Sequence, residues 1–162
     1  MKTLMLLRHA KSDWGDQSLR DFDRPLADRG RKDAPRIGKA FARRGPVPDI
    51  IISSPAVRAR QTIEAVVKSA GLTVSPQFED SIYGASAAEL MKLIRELPDS
   101  SKSALVVGHN PTFEEVVARL TGAHQHMPTA AFACIEFQIE HWADTEDGGG
   151  KLVWLLTPKQ LA

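Results

Sequence analysis

An arginine and a histidine directly follow a short apolar run near the start of the chain. The run covers residues 4–7, and Arg8 and His9 come next. Four consecutive apolar residues are typical of a strand buried on both faces of a parallel sheet. A guanidinium binds phosphate or carboxylate oxygens through a planar fork of donors, and an imidazole is a nucleophile or proton carrier near neutral pH. Alone, the pair could equally be ordinary loop residues at a strand end.

Two more predicted strands end in residues of the same kinds. Arg58 lies about one turn into a helix that follows the apolar run 49–52, and His109 comes two residues after the run 104–107. The carboxyl ends of parallel strands meet at one edge of a sheet, where ligands bind, and helix N-termini favour anions. Separately, Arg58 could be a solvated helix charge and His109 could merely end a strand. Together, two arginines and two histidines at one edge predict a pocket for a phosphoryl group.

The strands that must position these residues are recognised from their apolar patterns. Residues 73–75 predict a short additional strand. Residues 133–139 alternate between apolar and polar side chains, which is the period of a half-exposed strand. Residues 152–156 return after a glycine-rich turn and predict an antiparallel hairpin. The buried strands are predicted at residues 4–7, 49–52 and 104–107.

Helices are predicted between these strands. The first is expected to begin near Asp28, with that residue as its cap, and to end at Gly45-Pro46. The second is expected to open with Ser54 in the capping position and Pro55 at the first helical position. Apolar residues at i, i+3, i+4 and i+7 spacing predict two further helices, around residues 90–97 and 113–120.

Alternating strands and helices followed by a hairpin predict an α/β fold. It should have three layers, with a mostly parallel central sheet, helices on both faces and a C-terminal antiparallel hairpin. No linker or low-complexity tract divides the sequence, so residues 1–162 are predicted to form a single domain.

Composition narrows the possible partners and compartments. The 162 residues carry 21 basic and 20 acidic side chains, a formal charge of +1, which gives no sign of a nucleic acid or membrane surface as partner. Cys134 is the only cysteine, so an internal disulfide and a cysteine-based zinc site are excluded. The apolar run before Arg8 is too short for a signal peptide, and no stretch reaches the roughly 20 apolar residues that span a bilayer. We expect a cytoplasmic protein that is a monomer or weak dimer.

Three motifs carry the residues at the predicted sheet edge: Arg8-His9-Ala10-Lys11-Ser12, Ser54-Pro55-Ala56-Val57-Arg58-Ala59-Arg60-Gln61-Thr62 and Gly108-His109-Asn110-Pro111. They resemble the signatures of the histidine phosphatase (phosphoglycerate-mutase-like) superfamily, in the right order, from residue 3 to about residue 137. Ala10, Gly15 and Ala27 depart from the family pattern, which has glycine, asparagine and Ser or Thr there. The lack of a long insertion and the segment Met127-Pro128-Thr129-Ala130 look most like the SixA-type phosphohistidine phosphatases.

The resemblance implies catalysis by a covalent intermediate. His9 would attack phosphorus and become a phosphohistidine, which water then hydrolyses, while Arg8, Arg58 and His109 hold the transferring oxygens. Phosphoryl transfer depends mainly on positioning and charge stabilisation, so this mechanism makes physical sense. The arginines would also keep His9 neutral and nucleophilic. Two further residues of the motifs are expected to bind phosphate or substrate: Ser12 and Asn110.

The same resemblance implies no cofactor and no metal, because the arginines supply the positive charge that a magnesium ion would otherwise bring. His124 and His126 flank Gln125 in a way that invites a metal. We interpret them as solvated loop residues. Trp14, Tyr83 and Arg24 are candidates for the substrate entrance, although each could equally be a packing or surface residue.

An alkoxide leaving group also needs a proton donor. Family members usually supply it from a carboxylate in the loop before the third helix. Aligning Tyr83-Gly84-Ala85 with the comparable mutase segment puts Asp80 at that position. Glu79 beside it is an alternative, and both could be solvated loop acids.

Three functions agree with these residues. The first is a metal-independent phosphatase for protein phosphohistidine, for example on a histidine-phosphotransfer protein, whose imidazole leaving group departs more readily than an alkoxide. The second is a phosphatase for small phosphate esters. The third is a non-catalytic phospho-binding module, which is disfavoured because binding would require the cations but not His9.

Overall fold

The computed structural model describes residues 1–161, which contain six strands and four α-helices. Their bounds agree with the predicted alternation. The strands are β1 (Lys2–Arg8), β2 (Ile50–Ser53), β3 (Gln77–Phe78), β4 (Ser103–Gly108), β5 (Phe132–Phe137) and β6 (Gly150–Leu156). The helices are α1 (Asp28–Ala42), α2 (Val57–Ala70), α3 (Ala87–Arg95) and α4 (Thr112–Thr121).

All six strands form one sheet in the order β3-β2-β4-β1-β5-β6. β1 pairs parallel with β4 and antiparallel with β5, and the pairs among β2, β3 and β4 are parallel. The register places Arg8 opposite Gly108 and Ser53 opposite Val107. The carboxyl ends of β1, β2 and β4 therefore meet at one edge, as the sequence predicted.

The side chains of β1 point alternately into two separate cores. Leu4 and Leu6 pack with α3 and α4, whereas Met5 and Leu7 pack with α1 and α2. All four are completely buried, which explains why the run has no polar residue. The predicted three-layer α/β fold class is confirmed.

Several predicted boundaries were wrong. Ala27, not Asp28, is the cap residue of α1, and Asp28 lies in its first turn. Ser54 does not cap α2, because residues 54–56 are not helical and the helix begins at Val57, with Ala56 as its cap residue. The short strand predicted at residues 73–75 lies instead at Gln77–Phe78, where two residues pair with β2.

The last two strands pair antiparallel, as predicted, but β5 is not half-exposed. Cys134, on the face expected to meet solvent, is 1% exposed. That face is covered by the core that contains Phe41 of α1 and by Trp154 of β6. The second face of this amphipathic-looking strand is therefore also largely buried, because α1 and the Trp154 side chain lie on it.

Two glycines of α1 allow close approaches that another residue would block. A Cβ at Gly30 would overlap the carbonyl oxygen of Lys11, in the loop after β1. A Cβ at Gly38 would overlap the Ser69 hydroxyl and lie 3.1 Å from the Cα of Val66, both on α2. α1 can thus pack tightly against both the Lys11 loop and α2. Across residues 1–161, no helix combines the length and the apolar character needed to cross a bilayer.

Candidate active site

His9 is fixed by main-chain hydrogen bonds at the carboxyl end of β1. Its N–H donates to the Gly108 carbonyl of β4 (3.1 Å), and its own carbonyl accepts the N–H of Ala130 (3.0 Å). Ala130 adopts φ +63°, a left-handed conformation that residues other than glycine rarely take. The backbone strain at Ala130 thus lies at the residue that hydrogen-bonds to His9, which is buried at 7% exposure.

A backbone carbonyl determines which nitrogen of the His9 ring is free. Nδ1 lies 2.8 Å from the Ala10 carbonyl oxygen. A carbonyl only accepts hydrogen bonds, so Nδ1 carries the proton and Nε2 keeps its lone pair. The Ala10 N–H donates to the Thr62 hydroxyl (3.0 Å), which in turn donates to the Arg58 carbonyl (2.7 Å). α2 thereby anchors the peptide that orients the imidazole.

Burial keeps the His9 ring uncharged. Together with repulsion from His109, Arg58 and Arg8, it lowers the pKa of His9 to about 3, against the opposing effect of the Ala10 hydrogen bond. An imidazole with this pKa is neutral at physiological pH, so its Nε2 lone pair is available as a nucleophile.

The second histidine, His109, faces the first. The two ring centroids are 5.2 Å apart. His109 Nε2 lies 2.8 Å from the Ser54 hydroxyl, which also accepts the Ala56 N–H (3.2 Å). Burial and the Arg58 charge lower the pKa of His109 to about 4. Its Nδ1 is buried without a hydrogen-bond partner in residues 1–161, so it is the ring atom left to contact a ligand.

Arg58 is held by an aspartate that the sequence analysis missed. Its Nη1 donates to the Asp21 carbonyl (2.7 Å) and its Nη2 to the Asp21 carboxylate (3.0 Å). The same carboxylate accepts bonds from Arg24 Nη2 (2.8 Å) and the Tyr83 hydroxyl (2.7 Å). The bond from Arg24, with help from Tyr83 and Arg58, holds the pKa of Asp21 well below its usual range. Asp21 is therefore a fixed anion at the centre of two arginines and a tyrosine.

Arg8 is oriented from the opposite side by the segment before β5. Its Nη1 donates to the Met127 carbonyl (2.9 Å), which also accepts a bond from Asn110 Nδ2 (2.9 Å). Asn110 Nδ2 also donates to the Glu114 carboxylate (2.6 Å), and the Met127 N–H donates to that carboxylate as well (3.0 Å). Glu114 thus fixes the carbonyl that holds both Arg8 and Asn110.

These groups surround one cavity of about 220 Å³, which we call the His9 cavity. Six of the seven site residues expected from the sequence line it, and Arg24 Nη1 additionally donates to the Ser12 hydroxyl. Trp14 lies at its rim, 66% exposed, with its ring 3.6 Å from the Arg24 guanidinium carbon. The lining comprises Arg8, His9, Lys11, Ser12, Trp14, Arg24, Arg58, His109, Asn110 and Thr129.

Asp80, the predicted proton donor, does not line the His9 cavity. It begins the short 3-10 helix Asp80–Ile82, and its side chain is exposed without a hydrogen bond to any part of residues 1–161. Glu79, the alternative, lines a different recess beside α3. The structure therefore does not bring either acid together with the other site residues, and a donor role for Asp80 stays a prediction.

The residues that the sequence analysis missed act through contacts between distant parts of the chain. Asp21 lies 37 residues from Arg58 and 62 from Tyr83 along the sequence. Ser54 contacts His109 instead of capping a helix. The one sequence signal for Asp21 is its place three residues before Arg24, in a loop with little apolar character.

His124 and His126 are exposed and lie near the carboxylate of Glu114. His126 Nδ1 is 3.4 Å from Glu114 Oε2, and His124 Nε2 is 3.9 Å from Oε1. Both imidazoles thus border the outer side of the carboxylate that orients Asn110 and Met127.

The His9 cavity has the arrangement needed for phosphoryl transfer. It combines a neutral imidazole with a free Nε2, two fixed guanidinium groups and an unpaired ring nitrogen of His109. Positioned positive charge around a transferring phosphoryl group is the main source of catalysis in such reactions. The cavity can therefore bind a phosphoryl group and present a nucleophile to it.

Comparison with known proteins agrees with this geometry. Residues 4–130, which include the whole lining of the His9 cavity, match the family model of the histidine phosphatase superfamily (branch 1). An uncharacterised chloroplastic protein of Arabidopsis thaliana is 33% identical over 171 residues, covering 97% of this chain and 78% of the relative.

Solved structures share the complete fold. A protein of Agrobacterium tumefaciens assigned as the phosphohistidine phosphatase SixA superposes with a TM-score of 0.84 at 30% identity, covering 97% of this chain and 98% of that one. A protein of Nakamurella multipartitia with the same assignment also has a TM-score of 0.84, at 28% identity, with coverages of 97% and 96%. The phosphoglycerate-mutase-like fold expected from the sequence is confirmed.

Proposed function

The chain belongs to the histidine phosphatase superfamily and is a phosphatase, and we propose that it removes the phosphoryl group from phosphohistidine side chains of another protein. His9 Nε2 attacks phosphorus, the bond between phosphorus and the substrate imidazole breaks, and a phosphohistidine forms on the enzyme. Water then attacks that phosphorus, which releases inorganic phosphate and restores His9. Neither step is an oxidation or a reduction, and water is the only other reactant.

The cations of the His9 cavity stabilise the phosphoryl oxygens in both steps. Arg8 and Arg58 are held in place by Met127 and Asp21, so they need little reorganisation when charge develops. The unpaired His109 Nδ1 is available as a third polar contact, because the Ser54 hydroxyl can donate to Nε2 and leave the ring proton on Nδ1. Ser12 and Asn110 line the same cavity and contact phosphate or substrate.

The contacts of the Asp21 carboxylate with Arg24 and Arg58 are the observation that favours phosphohistidine over a phosphate ester. Asp21 is the carboxylate in direct contact with Arg58, and its arginine partners hold its pKa well below the usual range. A carboxylate that stays deprotonated cannot protonate a departing alkoxide. The imidazole of phosphohistidine can take a proton from water at its other nitrogen near neutral pH and leave as a neutral ring. The arrangement at Arg58 therefore suits a leaving group that needs no acid from the enzyme.

The shape of the His9 cavity also supports a side chain presented by a larger molecule. The cavity is open, and its exposed rim residue Trp14 provides an aromatic surface beside it. The names of the two structural relatives agree with the same substrate class.

A comparison of phosphate release from three kinds of substrate tests this proposal. Purified protein is incubated with a phosphorylated histidine-phosphotransfer domain, with p-nitrophenyl phosphate and with a panel of sugar and nucleotide phosphates. We expect kcat/KM for the phosphoprotein to exceed that for every ester by at least about tenfold, since the leaving-group difference acts on the chemical step. Phosphate release is measured directly, and acid-labile phosphate on the enzyme is trapped by rapid quenching.

The His9→Ala variant is the negative control for this experiment. It should abolish release from all substrates and remove the acid-labile phosphate. A sugar or nucleotide phosphate turned over faster than the phosphoprotein would assign the protein to small esters instead. Phosphate release that survives in His9→Ala would remove His9 as the nucleophile.

A further inference from the structure

Five basic residues of α1 share one side of the helix, which we call the basic stripe: Arg29, Lys32, Arg36, Lys39 and Arg43 at its end. At 3.6 residues per turn their directions fall within an arc of about 80°. The two carboxylates of α1, Asp28 and Asp33, lie outside this arc. The whole chain has a formal charge of only +1, so positive charge is concentrated on this side of the molecule.

The N-terminal end of the basic stripe opens onto the His9 cavity. Arg29 and Arg36 line an open recess of about 590 Å³, together with Asp33, His126, Thr129 and Lys159. Thr129 also lines the His9 cavity, and Arg29 Nη2 donates to its hydroxyl (3.4 Å). A molecule bound in the His9 cavity can therefore extend directly over the basic stripe.

Most of this positive charge is not neutralised within the chain. Within residues 1–161, Asp33 is the one carboxylate that pairs with the two arginines, at 3.8 Å from Arg29 and 3.5 Å from Arg36. The side chains of those arginines are still 65% and 42% exposed. Within residues 1–161, Lys32 and Lys39 have no ion-pair partner and are exposed to solvent.

We propose that the basic stripe is the docking surface for an acidic face of the phosphorylated protein substrate. This inference rests on the proposed function, because the partner is the protein whose phosphohistidine enters the His9 cavity. The stripe extends about 21 Å along α1, which matches about four turns of a helix in the partner. Complementary charge along this length of helix raises the rate at which the two proteins meet and orients the partner as it approaches. We expect small phosphorylated molecules in the cavity to make no contact with Lys32 or Lys39, which do not line it.

Lys32→Glu/Lys39→Glu tests the docking surface without breaking an ion pair. The substrates are a phosphorylated histidine-phosphotransfer domain of net negative charge and free N-phosphorylhistidine. We expect kcat/KM for the protein substrate to fall at least about tenfold at low salt, with free N-phosphorylhistidine unchanged. High salt should reduce the difference between variant and wild type, because it screens exposed charges.

Lys92→Glu/Lys102→Glu is the matched control, since it makes the same change of net charge at exposed positions on or next to other elements. It should leave both substrates unaffected. Lys32→Gln/Lys39→Gln, which removes the same two positive charges without introducing carboxylates, should reproduce the selective loss at smaller size if charge reversal at these positions disturbs folding.

Three results would overturn the docking proposal. They are an unchanged kcat/KM for the phosphoprotein in both stripe variants, an equal loss for both substrates, and a loss as large in the control. Binding of wild type to anionic phospholipid vesicles that the stripe variants abolish, with phosphoprotein turnover intact, would instead assign the surface to a membrane. A wild-type protein that releases no phosphate from the phosphotransfer domain would refute the proposed function itself.

Discussion

Asp21 is the residue whose chemistry most affects the others in the site. Its carboxylate fixes Arg58, Arg24 and Tyr83, but it also offsets part of the positive charge meant for a phosphoryl group. We expect the orientation that Asp21 gives Arg58 to matter more for catalysis than the positive charge that Asp21 offsets. Charge-assisted hydrogen bonds contribute about 1.5–3 kcal/mol each, so losing the orientation of Arg58 should cost more than the gained charge returns.

Asp21→Asn therefore separates catalysis from binding. We expect kcat to fall about 10- to 100-fold, while the inhibition constant of inorganic phosphate stays the same or decreases, because the local negative charge is gone. Steady-state kinetics with phosphate as inhibitor give both numbers. An unchanged kcat, or a weaker affinity for phosphate that accounts for the whole loss, would contradict an orienting role.

At the level of elements, the position of α1 depends on its two close approaches. Gly30→Ala would press a methyl group against the Lys11 carbonyl, which accepts the Ala27 N–H and lies two residues after His9. We expect this variant to lose stability and kcat together. Gly38→Ala would crowd Ser69 and Val66 of α2, away from the His9 cavity, and should cost about 1–3 kcal/mol of unfolding free energy with kcat nearly unchanged. Thermal unfolding and turnover of p-nitrophenyl phosphate distinguish the two, and a Gly30→Ala enzyme with normal kcat would contradict the coupling.

The elements show what the sequence can and cannot predict. The buried strands β1, β2 and β4 were found within one residue or two, because burial on both faces leaves an unbroken apolar run. The predicted cap of α2 was wrong, since the non-helical segment Ser54-Pro55-Ala56 delays the start of that helix. The two-residue β3 has no sequence pattern of its own. The alternation in β5 predicts a half-exposed strand, because the cover that α1 gives its second face arises only in the folded structure.

The candidate site was predictable for a related reason. Its residues follow strand ends at one sheet edge, so topology alone brings Arg8, His9, Arg58 and His109 together. Asp21 could not be found in this way, because it comes from a loop and meets its partners only after folding.

For the whole molecule, the two buried histidines make stability depend on pH. Their folded pKa values, about 3 for His9 and about 4 for His109, lie below the ordinary value of 6.5. In this pH range the unfolded chain therefore binds more protons than the folded protein does. As a result, the free energy of unfolding decreases as pH falls from 6.5 toward 4. The loss at pH 5 is about 2 kcal/mol for each histidine.

Urea unfolding of wild type and His109→Gln at pH 7 and pH 5 isolates one of these contributions. We expect the decrease between the two pH values to be about 2 kcal/mol smaller in the variant, because glutamine does not titrate. Identical decreases in the two proteins would mean that His109 is protonated in the folded state at pH 5.

The central position of β1 has a consequence for the lifetime of the site. Hydrogen bonds to β4 and β5 hold this strand on both sides along most of its length, while β3 and β6 lie at the edges. Edge strands open in local fluctuations, but a central strand exchanges its amide hydrogens only when the domain unfolds as a whole. The strand that carries Arg8 should thus be among the last segments to exchange, so fraying at the sheet edges leaves the reactive end of the sheet intact.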